Sequence, residues 1–212
     1  MATTKAKDER KRKRKRKEEE SNVEKRAKVD DESNYQQGEE DEQAKIVLLG
    51  KEILESKKNY NNITALIRLA EDFERGNVET AMLANVVLCR IFGNLLEAGG
   101  LTYKRSLSEK EAVRVEWLKA RLADFKSILI SLLLRDDDLA STALTLAMKV
   151  LQAEGEHLQD KEFYVFPKAF LEQIVRALIK TENTDAPSEF LQKFVDEYDD
   201  IRYFTHQAIK YV

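Results

Sequence analysis

From Ile46 onward the apolar residues recur at helical spacing, and that periodicity constrains this chain more than any other feature. Ile63, Leu66, Ile67, Ala70 and Phe73 lie at offsets 0, 3, 4, 7 and 10, one face of a helix entered through Asn61 or Asn62 and stopped at Gly76. Asn77 is placed to cap the next helix, whose face is Ala84, Val87, Leu88, Ile91 and Leu95 and whose end is Gly99-Gly100. Ser108 followed three residues later by Glu111 has the form of a capping box. It opens a long helix with a stripe of Val113, Trp117, Leu118, Leu122, Phe125, Leu129, Leu132 and Leu133.

Asp136-Asp137-Asp138 breaks that helix and can cap its successor with carboxylates at the positive end of the dipole. The successor carries Leu139, Ala140, Ala143, Leu144, Ala147, Met148 and Leu151, a broad face suited to packing on two sides, and Gly155 is expected to stop it. Pro167 fits the first position of a helix, where its missing N–H costs nothing, ahead of Phe170, Leu171, Ile174, Val175 and Leu178. Pro187-Ser188 opens another with Phe190, Leu191, Phe194, Val195 and Tyr198. No segment alternates with a period of two. About seven or eight helices joined by short loops make the expected class all-α. The helix pairs starting near Asn62, Ser108 and Pro167 stand 46 and 59 residues apart. That spacing brackets the upper end of the ~40–47 residues of HEAT and armadillo units, so the expectation is a HEAT/armadillo-like helical repeat array.

The N-terminal part is chemically different. Residues 1–45 hold 14 Lys+Arg and 13 Asp+Glu, and contain no Leu, Ile, Phe or Trp. Such a stretch buries too little surface to offset the entropy of ordering it. The expected division is a disordered charged tail over residues 1–43 and an α-helical repeat domain over 44–212. Ile201, Phe204, Ala208 and Val212 share a face that runs to the last residue without a C-capping residue, which suggests the N-terminal part of a longer protein.

Several function classes lose support. Cys89 is the only cysteine, so no internal disulfide framework forms, and its apolar helical setting reads as a small buried hydrophobe, not a thiolate nucleophile. The longest apolar run, Ile128 to Leu134, falls well short of the ~18 residues of a membrane span. His157, expected in a loop after Gly155, and His206 have no His or Cys at metal-ligand spacing. Asp136 to Asp138 lacks the Gly and terminal Glu of an EF-hand loop, and Gly99-Gly100 lacks the surroundings of a phosphate-binding loop. The expectation is no enzyme, no cofactor, no metal and no membrane.

The tail carries the clearest functional signal. Lys11, Arg12, Lys13, Arg14, Lys15, Arg16 and Lys17 are seven consecutive cations, and Lys25, Arg26 and Lys28 form a second cluster after an acidic spacer. Clusters so spaced suit the acidic grooves of a nuclear import receptor and can also neutralise phosphates. In the helical part, Lys104 and Arg105 are candidates for contacting RNA or an acidic partner. Asp199 and Asp200, preceded by Tyr198, read as an N-cap with dipole-favourable charge, and Arg202 and Tyr203 as side chains fixing that helix to its neighbour. Phe163, Tyr164, Phe166 and Phe170 around Pro167 read as a loop pinned to the core.

The segments Leu151-Gln152-Ala153-Glu154-Gly155-Glu156-His157, Tyr164-Val165-Phe166-Pro167 and Tyr198-Asp199-Asp200-Ile201-Arg202-Tyr203, in this order and spacing, resemble the N-terminal half of the nucleolar complex protein four family, whose members carry a CCAAT-binding-factor (CBF) domain. The resemblance covers roughly residues 46–212. It implies a non-enzymatic scaffold of the nucleus and nucleolus that acts in small-subunit (18S) pre-rRNA processing and assembly. It also implies pairing with a nucleolar protein fourteen-like partner through a CBF domain C-terminal to this region, and contact with pre-rRNA. The alternative of another class is an armadillo-like nuclear transport or transcription adaptor, which would use the same basic tail but ignore ribosomal precursors.

Overall fold

The structure, a computed structural model, describes residues 41–73, 77–102, 107–158 and 165–210. Among these every regular element is helical and none is a strand. In chain order they are α1 (41–55), a 3-10 turn at Lys57–Asn59, α2 (Asn62–Glu71), α3 (Val78–Glu97), α4 (Glu109–Leu133), α5 (Leu139–His157), α6 (Lys168–Lys180), α7 (Asp185–Phe190) running on into a π-turn at Leu191–Val195, and α8 (Asp199–Ile209). One compact unit spans Ile46–Val212. The expected tail over 1–43 lies almost wholly outside the described residues.

Between successive hairpins the main contacts skip one helix. Even-numbered helices pack along one layer, α2 on α4, α4 on α6 and α6 on α8, while α3 packs on α5 and α5 on α7 in the other. Within each hairpin α2 meets α3, α4 meets α5 and α6 meets α7. Such a two-layer stack is what a helical repeat array is: each hairpin buries its face against the next one. The core runs continuously from Ile46 and Ile53 of α1 to Ile201 and Ala208 of α8. Phe92 of α3 and Phe125 of α4 stack at its centre, 5.7 Å between ring centroids.

Local signals operate where expected in several places. Asn77 Oδ1 accepts from the Glu79 amide at 2.8 Å and caps α3. At the other end of α3, Gly99 takes φ +68°, its N–H donates to Leu96 O at 2.9 Å and that of Gly100 to Leu95 O at 2.7 Å, the paired bonds of a Schellman end. The Ser108–Glu111 capping box forms, with Ser108 N donating to Glu111 Oε2 at 3.1 Å and Ser108 Oγ at 2.8 Å.

Other expectations are corrected. Asn61 is helical and makes no side-chain cap; Asn62 instead donates to Glu52 Oε2 at 3.2 Å and ties α2 to α1. Phe73 lies past the end of α2, and Gly76 lies outside the described residues. Val113 is 65% exposed, because it falls five residues before Leu118 and out of phase with the α4 stripe, whereas Val115, three before Leu118, faces inward. The carboxylate that caps α5 is that of Asp137, accepting from Leu139 N at 3.2 Å while paired with Arg135 at 2.8 Å; Asp138 makes no cap bond. Gly155 does not stop α5: it is buried within the helix, which continues to His157, so that histidine ends a helix and is not in a loop. Pro167 occupies the position before the first helical residue of α6. Neither Asp199 nor Asp200 is the N-cap of α8: both lie in its first turn, Tyr198 holds the cap position, and no side chain makes a cap bond there. Asn183, not Pro187, opens α7, its Oδ1 accepting from Asp185 N and Ala186 N, each at 2.9 Å.

One helix escapes the count of consecutive apolar residues. α3 is long and apolar enough to cross a membrane by length and composition, since its polar residues are uncharged or few. Half of that window is buried inside the body, against α2 and α5, as in a core helix.

Candidate functional site

The three segments that carry the family resemblance are separated in sequence and meet in space. The C-terminal part of α5 supplies Met148, Leu151, Gln152 and Glu156; the approach to α6 supplies Phe166 and Pro167; the turn from α7 into α8 supplies Phe194, Tyr198, Asp200 and Ile201. Together they enclose a groove of about 320 Å³.

Its walls are fixed by aromatic packing and by one arginine. Phe166 stacks on Phe204 of α8 with centroids 4.2 Å apart and planes 12° from parallel, and Tyr203 meets Phe204 edge-on at 5.1 Å. Phe190 and Phe194 lie 6.2 Å apart below. The π-turn at Leu191–Val195, closed by Asp196 N donating to Leu191 O at 2.9 Å, turns Phe194 toward the groove and leaves carbonyls without helical partners. Arg202 takes those carbonyls. Its Nε donates to Val195 O at 3.0 Å, its Nη2 to Asp196 O at 2.7 Å and its Nη1 to Asp199 Oδ1 at 2.9 Å. A single planar guanidinium therefore fastens α8 to the end of the π-turn.

The rim is acidic and exposed. Tyr198 stands before α8 at 55% exposure, flanked by Asp196, Glu197, Asp199 and Asp200. Asp199 is paired with Arg202, whereas Asp196, Glu197 and Asp200 make no ion pair among the described residues. Across the groove Glu156 accepts from Gln152 Nε2 at 2.8 Å and lies 3.6 Å from His157.

Of the residues singled out in the sequence, Pro167, Tyr198 and Asp200 line the groove, Arg202 and Asp199 hold its wall, and Tyr203 is exposed beside Phe204. Lys11 to Lys17, Lys25, Arg26, Lys28, Lys104 and Arg105 lie outside the described residues, as do Phe163 and Tyr164. The part played by Phe194 and Glu156 was not legible, because the two line one groove from positions 38 residues apart.

Elsewhere, a wider depression of about 700 Å³ beside α2 and α4 contains Arg68, Glu71 and Arg135, with Arg135 lying 5.9 Å over the Phe73 ring. Another between α3 and α5 has Cys89, Arg90 and Lys149 in its lining. Burial pushes the Cys89 thiol above its usual pKa, with nearby Lys149 opposing in part, and its Sγ lies 3.8 Å from Leu146 O. Among the described residues no three His, Cys, Asp or Glu side chains are placed to hold a metal ion.

Residues 35–212 match the family described as nucleolar complex protein 4-like, TPR repeats. The chain belongs to that family. The match covers the whole helical unit and all three segments around the groove. No curated protein matches the chain in sequence. Membership of the nucleolar complex protein 4-like family associates the chain with the nucleolus and with ribosome biogenesis, as a helical-repeat protein of scaffold type. The description names TPR repeats, whose usual period is ~34 residues. Hairpins here are longer, because α3, α4 and α5 have 20, 25 and 19 residues.

Proposed function

We propose that this nucleolar complex protein 4-like chain is a non-enzymatic assembly scaffold for the small ribosomal subunit, acting in 18S pre-rRNA processing within the nucleolus. The observation that carries the reading is the family match over residues 35–212. Support comes from the architecture: a two-layer helical array offers long, rigid faces for several partners at once. On this reading the basic clusters Lys11–Lys17 and Lys25–Lys28 engage an import receptor and bring the chain to the nucleus. Lys104 and Arg105 contact pre-rRNA, and a nucleolar protein fourteen-like partner is engaged through a CBF domain.

The test is affinity purification of the tagged chain from nuclear extract, with RNA sequencing and mass spectrometry, together with depletion of the chain and sucrose-gradient profiling. The expected result is enrichment of small-subunit rRNA precursor and loss of 18S rRNA with large subunits retained. Recovery of import receptors or transcription proteins without pre-ribosomal RNA would replace this reading with the adaptor one.

A further inference from the structure

The groove between α5, Pro167 and the α7–α8 turn combines two properties that point to one kind of occupant. Its floor is apolar, with Met148, Leu151, Phe194 and Ile201, and Phe166 on one wall. Its rim is anionic: Glu156 on one side, Asp200 on the other, and Asp196 and Glu197 in the turn leading to it. Arg202, whose guanidinium holds the groove's wall, is already committed to two carbonyls and to Asp199.

Acids at the rim repel a phosphate backbone, so this face is unsuited to RNA. The volume of about 320 Å³ is at the small end of binding cavities, roughly 300–1,000 Å³, and takes one or two large side chains but not a folded domain. Exposed Tyr198 adds a rigid aromatic edge of the sort that anchors protein contacts.

We propose that this groove docks an extended segment of a partner protein in which one or two aliphatic or aromatic side chains are flanked by Lys or Arg. The apolar side chains fill the floor between α5 and Phe194, and the flanking cations pair with Glu156 on one side and Asp200 on the other. The acidic rim speeds and orients docking, and the apolar floor retains the bound segment. The proposal rests on the chain's being a binding scaffold, not on which particle it serves.

The test uses the full chain and an array of synthetic octapeptides with paired Leu, Ile, Met or Phe at the centre. The flanks are Lys/Arg, Asp/Glu or Ser/Gly, and binding is read by fluorescence anisotropy at two salt concentrations. Peptides with basic flanks are expected to bind at least tenfold more tightly than those with acidic flanks, and more weakly at high salt. The double variant Glu156→Lys/Asp200→Lys, altered only at exposed positions, is expected to lose that preference. Tyr198→Ala is expected to weaken binding several-fold. A charge-matched control, Glu55→Lys/Glu71→Lys, on exposed positions of α1 and α2, is expected to leave binding unchanged.

No binding by any peptide, a preference for acidic flanks, or equal loss in the control pair would overturn the proposal. If Glu156→Lys/Asp200→Lys still recovers pre-ribosomal RNA while peptide binding is absent in the unaltered chain, the groove assignment falls and the assembly function stands. Loss of pre-ribosomal RNA from the unaltered chain would overturn the latter alone.

Discussion

Lys126 of α4 and Glu154 of α5 form an ion pair, 2.5 Å between Nζ and Oε1, in which the Glu154 side chain is only 6% exposed and that of Lys126 19%. The same ammonium lies 4.5 Å above the ring of Phe170 in α6. One cation thus joins three consecutive helices. Bringing both charges out of water costs free energy that their attraction offsets only while both are present. Removing Glu154 leaves a part-buried ammonium with an aromatic face but no counter-charge.

Glu154→Gln is therefore expected to destabilise the unit by about 3 kcal/mol, within the range for breaking a buried pair. For a unit of this size that is a fall in Tm of roughly 6–12 °C. Replacing both partners, as Lys126→Met/Glu154→Leu, is expected to cost far less than the single change. Thermal and urea melts of the three variants decide this; a double variant as unstable as Glu154→Gln would contradict it.

Two helical glycines are expected to respond to alanine with opposite sign. A Cβ on Gly50 would stand 2.6 Å from Val87 Cγ1, where α1 crosses α3, and the β-branched valine has little rotamer freedom with which to yield. Gly50→Ala should destabilise by about 1–2 kcal/mol net of its gain in helix propensity. Gly93, inside α3, has nothing within 4 Å of the added atom, so Gly93→Ala should stabilise by roughly 0.5–1 kcal/mol. Urea midpoints moving in the same direction for both would show that the α1–α3 approach is looser than this.

At the start of α4 the hydroxyl and then the amide of Ser108 donate to Glu111, and both hold its carboxyl below the usual pKa. A depressed carboxyl contributes stability above its unfolded value of about 4.3, and the contribution is lost as pH falls through the lower folded value. NMR titration should find Glu111 below ordinary glutamates, and Ser108→Ala should return it toward them. An unchanged titration in Ser108→Ala would show that the capping box does not control that carboxyl.

The raised Cys89 thiol should react slowly with a disulfide reagent at pH 8 in the folded chain and rapidly in denaturant, since burial disfavours the thiolate and blocks access. Stopped-flow absorbance of released thiol measures both rates. Equal rates would mean that the α3–α5 seam opens freely.

Arg202→Lys should behave as a loss, because a lysine cannot reach Val195 O, Asp196 O and Asp199 together. The expected cost is about 1–2 kcal/mol. Faster amide exchange confined to α8 and the π-turn is the signature that separates it from a global effect.

What the amino-acid order determined by itself is the set of rules that act within about four residues: helix periods, the Asn77 cap, the Ser108–Glu111 box and the glycine end at Gly99. The class followed from these, since a helical period with no strand period leaves only helices to pack together. Tertiary structure decided which way each stripe turned and what met across the layers. Gly155 stays helical where it is buried inside the stack. Lys126 and Glu154 are 28 residues apart, and Asn85, wholly buried, donates from α3 to Ala70 O at the end of α2 at 3.1 Å. The groove combines residues from Met148 to Ile201. No local propensity encodes such pairings, because they exist only once the even and odd layers have stacked and set the distance between helices.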